Sequence, residues 1–128
     1  MPQQISLTAL VVADYDEAIA FYVEKLGFAL TSDVPQGDGK RWVVVTPPGS
    51  ACGLLLARAV TDAQAARIGD QTGGRVGLFL STDDFARDHA AMTAAGVVFL
   101  EAPRHEPYAT VAVFQDLYGN RWDLLQPA

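Results

Sequence analysis

The chain is poor in cysteine, in basic residues and in long apolar runs. Cys52 is the single cysteine of 128 residues, so no intrachain disulfide can form. Lysine and arginine together number 9 against 15 acidic residues, a net charge of −6. No basic stripe exists, which argues against nucleic acid and anionic membrane as partners. The mild acidity reads as a matter of solubility. No apolar run approaches the roughly 20 residues that span a bilayer. The opening MPQQISLT has neither the basic start nor the long apolar core of a signal peptide, so a cytoplasmic protein is expected.

What remains is ordinary globular composition, 50% hydrophobic and 19% charged. The length suits one domain with a core large enough to need no disulfide or metal. One pattern occurs twice. Residues 14–27 read DYDEAIAFYVEKLG and residues 83–96 read DDFARDHAAMTAAG, each from aspartate to glycine. An apolar run precedes each copy (7–12 and 76–80), and another follows it (28–30 and 97–100). Two strand–helix–strand copies about half a chain apart predict a duplicated α+β module. The expected single domain has module one over about 5–57, a linker over about 58–75 and module two over about 76–126. A ligand is expected between the copies.

Local signals place the elements. Asp14 with Glu17 resembles a capping box, and Ile19, Tyr22, Val23 and Leu26 share one helical face. Gly27 stands where a left-handed residue ends a helix. Strands are predicted over 28–31, 41–46 and 54–57, with turns over 35–40 and 47–53. Thr61 with Gln64 predicts a short helix over 62–68. The GDQTGG run of 69–74 reads as a linker, because it lacks the lysine of a phosphate-binding loop. Module two predicts a strand over 76–80, a helix from Asp83 or Asp84 to Ala95, a strand over 97–100 and a loop over 102–108. Strands over 109–114 and 121–126 flank a DLYGN turn. Proline is absent from the proposed central strands.

Four segments now match a known family. LVVADYDEAIAFYVEKLGF, PPGSACGLLLA, DDFARDHAAMTAAGVVF and VAVFQDLYGNRWDLLQ resemble the vicinal oxygen chelate superfamily. That group includes glyoxalase I, bleomycin-resistance proteins and extradiol dioxygenases, and the resemblance covers about residues 5–126. It implies an α+β fold of two tandem βαβββ modules whose mixed or antiparallel sheets form cups, often paired in a homodimer. Metal-using members hold one divalent ion with four side chains near the cup floor. Carried onto this chain, those positions are Leu7, the middle of 54–56 (Leu55), Val76 or Gly77, and Asp123. Only Asp123 has a donor atom, since leucine, valine and glycine side chains coordinate no cation. The resemblance therefore implies a small-molecule binder with no cofactor and without the family's usual metal. Two alternatives stay open: a lyase or dioxygenase-type enzyme with a non-standard site, and a structural or regulatory dimer with a filled cup.

Candidate residues follow from that expectation. Leu7, Val11 and Leu55 would floor the cup, and Tyr108 or Phe114 would form an aromatic side. Asp123 with Arg41 or Arg121 would orient a ligand, and either arginine suits an anionic group. Arg41 and Trp42 are adjacent on a strand, so only one of them can face the cup. Asp123 and His105 are the candidate acid–base groups; Asp123 alternatively pairs with Arg121, and His105 alternatively sits in solvent. His89 reads as a packing residue. Cys52 has no activating base at a fixed spacing and reads as inert.

Overall fold

The computed structural model describes residues 2–128. The chain divides between Ile68 and Gly69 into two compact units. The first holds β1 (Leu7–Val12), α1 (Tyr15–Ala20) running on into a π-helical segment (Phe21–Lys25), β2 (Ala29–Gly37), β3 (Lys40–Thr46), β4 (Gly53–Arg58) and α2 (Asp62–Ala65). Its sheet runs β1-β4-β3-β2, with β1 and β4 parallel and the other pairs antiparallel. The second unit holds β5 (Val76–Ser81), α3 (Phe85–Ala94), β6 (Val98–Phe99), β7 (Arg104–His105), β8 (Ala109–Gln115) and β9 (Arg121–Pro127). Its sheet runs β5-β9-β8-β6, with β7 also on β8 and β5 parallel to β9. The fold is α+β, with two mixed sheets and the glyoxalase-like order of elements.

The helices start as the sequence predicts. An Asp14 carboxylate oxygen accepts from the Glu17 amide at 2.9 Å, and one of Asp84 accepts from the Arg87 amide at 3.0 Å. Each satisfies a donor that the first helical turn leaves unpaired. The first helix does not stay α-helical to Leu26. It widens, and the Leu26 amide donates to the Phe21 carbonyl at 3.3 Å. Adjacent Phe21 and Tyr22 are both buried there, their rings edge-on at 5.3 Å. A wider turn lets two neighbouring rings share the inward side.

Each core is the sheet face under a helix. In the first unit Leu10, Val12, Val43, Val45, Leu54 and Leu56 fill it. Each contributes about 1.5–3 kcal/mol by leaving water. In the second, Phe85 and Met92 of α3 join Phe114, Trp122 and Leu124. His89 packs 4.2 Å from the Phe99 ring and 5.4 Å from that of Phe85, as a packing residue would.

Four local expectations change. Strand β2 runs on to Gly37 through Pro35, which is tolerated because β2 lies at the sheet edge. The turn narrows to Asp38 and Gly39, with φ of 56° and 78°, the aspartate–glycine pair that a tight hairpin favours. The linker helix stops at Ala65. The expected loop over 102–108 contains β7, where Arg104 pairs with Val111 and His105 with Thr110.

Candidate functional site

Strand alternation sorts every candidate by face. In the first unit, register sets Leu7 beside Gly53, Ala9 beside Leu55 and Val11 beside Ala57. These residues point away from α1, while Leu10, Val12, Leu54 and Leu56 point towards the core. Val44 lies opposite Leu55 on β3, so Trp42, two residues back, shares this far face and is 38% exposed. Leu7, Val11 and Leu55 therefore share one apolar surface, and Trp42 extends it.

Arg41 does not join them, because it has the opposite parity. It turns to the helix side, where Asp33 takes Nε at 3.1 Å and Nη2 at 2.8 Å. Asp16 of α1 takes Nη1 at 2.9 Å. Its guanidinium lies 5.1 Å from the Tyr15 ring centroid. The hydrogen bond from Arg41 holds the Asp33 carboxyl below its ordinary pKa. Arg41 ties α1 to the sheet edge, its guanidinium committed to Asp33 and Asp16.

In the second unit, Asp123 pairs with Phe79 on β5 and Val113 on β8. Its neighbours Trp122 and Leu124 are buried under α3, so Asp123 points away from the helix. Phe79 is 64% exposed on the same face. One Asp123 carboxylate oxygen, Oδ1, is shut off from water and has no hydrogen-bond partner among the described residues. Burial raises the Asp123 pKa, the Arg104 charge pulls it back, and the Glu101 charge pushes it further up. Arg121 does not neutralise it: its Nη1 donates instead to the Gly74 carbonyl at 3.2 Å.

The charged neighbours of Asp123 are ones that sequence reasoning missed. Arg104 Nε donates to Glu101 at 2.8 Å and its Nη1 to Glu106 at 3.0 Å. The other Glu101 oxygen accepts from the Val113 amide at 2.9 Å. The signal available was the spacing of Glu101, Arg104 and Glu106, which alternates charge through a stretch read as a loop.

His105 and Phe114 also change place. His105 pairs with Thr110, 3.3 Å from its hydroxyl, and so has the parity opposite to Arg104 and Asp123. Phe114 is 0% exposed, its ring 5.7 Å from Phe99 and stacked 5.6 Å from Trp122. It is core under α3 and offers no ligand wall. Tyr108 is 64% exposed and remains available.

The donor set does not fit the divalent ion of the metal-using relatives. Leu7 and Leu55 present only carbon, as do Val76 and Gly77 at the third position. Among the described residues no three of His, Cys, Asp or Glu gather as an ion would require.

Residues 4–124 match the Glyoxalase/Bleomycin resistance protein/Dioxygenase superfamily, and the chain belongs to it. An uncharacterised protein of Shewanella frigidimarina is 59% identical over 98% of this chain and 95% of its own. The antibiotic-binding protein TnmS3 of Streptomyces sp. CB03234 is 33% identical, with TM-score 0.81 over 99% of this chain and 98% of that one. A glyoxalase/bleomycin resistance protein of the same Streptomyces is 33% identical, with TM-score 0.76 over 96% of this chain and all of that one (100%).

Proposed function

We propose that this chain is a metal-free small-molecule-binding member of the superfamily, acting in the cytoplasm as a homodimer and holding an antibiotic-like aromatic compound. The observation that carries this reading is the chemistry of the far faces. Leu7, Val11, Leu55 and Trp42 supply apolar surface on the far face of one unit; on that of the other, Phe79 supplies apolar surface and the unpaired Asp123 oxygen a polar group. Apolar walls with few polar groups are the usual make-up of a small-molecule site. Likeness to an antibiotic-binding protein supports the ligand class. Calorimetric titration with a panel of polycyclic aromatic antibiotics tests it. At least one is expected to bind at micromolar Kd, with loss of affinity in Asp123→Asn. No binding across the panel would overturn the reading.

A second reading is a lyase or dioxygenase-type enzyme with a non-standard site. One observation favours it: the Asp123 Oδ1 is buried without a hydrogen-bond partner among the described residues, and burial raises the carboxyl's pKa, as suits a general acid or base. Turnover abolished by Asp123→Asn, with ligand affinity retained, would select it.

A further inference from the structure

A cavity of about 370 Å³ lies in the first unit, where the end of β4 meets the β2–β3 turn. Trp42, Leu55 and Ala57 give it an apolar wall. Lys40, Arg41 and Arg58 also line it, three of the nine basic residues of an acidic chain. Asp38 is the acidic residue among the lining.

The three cations differ in what they already hold. Arg41 is committed to Asp33 and Asp16. Arg58 forms no ion pair among the described residues, and neither do Lys40 and Asp38. The Arg58 guanidinium is nonetheless held in place. It lies 5.2 Å from the Tyr15 ring centroid, and Gly39 passes beside it on the turn. A Cβ on Gly39 would sit 3.4 Å from the Arg58 Nη2. Arg58 pairs with Val12 and so leaves the sheet on the helix side, but the cavity at the strand ends is lined by Arg58 together with Trp42 and Leu55 of the far face. A positioned guanidinium with unused N–H donors, in a cavity that an indole and a leucine also line, suits an anion attached to a flat apolar body.

We infer that this cavity binds an aromatic monoanion, a carboxylate or sulfonate on a planar ring system, with Arg58 taking the charge and Trp42 and Leu55 taking the ring. The inference rests on the reading of the Leu55 face as ligand-binding and names the ligand class for it.

Two fluorescent probes separate the ideas. 1-Anilinonaphthalene-8-sulfonate carries the charge, and N-phenyl-1-naphthylamine has the same rings without it. The full chain is expected to bind the sulfonate more tightly. Arg58→Gln should weaken sulfonate binding about tenfold, as loss of a charge-assisted contact does, and leave the neutral probe within about twofold. Arg58→Lys should restore most of the sulfonate affinity, and Asp38→Asn should strengthen it. Equal weakening of both probes in Arg58→Gln, or no change in either, overturns the anion site while leaving the apolar face intact. Failure of the full chain to bind either probe overturns both the anion site and the apolar-face reading beneath it.

Discussion

Asp123 shows how one side chain can carry opposite messages about stability and function. Its Oδ1 is out of reach of water and of any described donor, so ionisation is opposed by burial. A carboxyl whose pKa is raised on folding binds its proton more tightly in the native state. Its contribution to stability is greatest below the ordinary value of 3.8 and is lost as pH rises through the raised one. Asp123→Asn is therefore expected to be as stable as the parent at pH 7, or more so by up to about 1 kcal/mol. That gap should close as pH falls to about 4. Chemical denaturation across this pH range checks it. A loss of roughly 3–5 kcal/mol would instead reveal a buried charge partner and end the assignment of Asp123 to ligand.

Among the elements, β7 and the β2–β3 hairpin have the most to test. Glu101 holds the Val113 amide and Arg104 together, bridging the short β6 and β7 along β8. Glu101→Ala should cost about 1–3 kcal/mol, because a part-buried amide loses its acceptor, whereas Glu101→Gln keeps an acceptor and should cost less. The Arg104 hydrogen bond lowers the Glu101 pKa below 4.5. The stability that Glu101 supplies is therefore full above that value and is lost as pH falls through the lowered one, opposite in sign to Asp123. Melting curves of the two variants between neutral and acid pH distinguish the signs. In the hairpin, Gly39 needs φ of 78° and lies against Arg58. Gly39→Val should destabilise by about 1–2 kcal/mol in denaturant melts, since a β-branched residue is strained at positive φ.

For the molecule as a whole, assembly and metal content are the quantities to measure. Phe79, Val34, Trp42 and Leu30 leave apolar surface exposed. Closed two-fold pairing is the commonest way to cover such surface. Sedimentation at micromolar concentration should show a dimer, and a monomer mass would refute it. Leu7 and Leu55 cannot coordinate, so elemental analysis should find well under one divalent ion per chain, and a chelator should leave the melting temperature unchanged. No helix among the described residues is long and apolar enough to cross a membrane.

The sequence by itself determined the family, the repeated order of strand, helix and strand, and the absence of donors at the carried-over ligand positions. Those features are local: Asp14 and Asp84 cap helices within three residues, Gly27 and Gly96 close the repeat at positive φ, and an apolar period needs no partner strand to be seen. Tertiary structure decided which side chains meet. The parity that hid Arg41 and exposed Trp42 depends on which β3 residue faces Leu55, a register no single strand contains. The burial of Phe114 depends on α3 covering that side of β8, with Phe99 and Trp122 around its ring. The charged group of Glu101 and Arg104 came together only because a two-residue strand, too short to leave a periodic signal, pairs with β8. Hydrogen bonding between strands distant in sequence set those neighbours, and with them which side chains each sheet face presents.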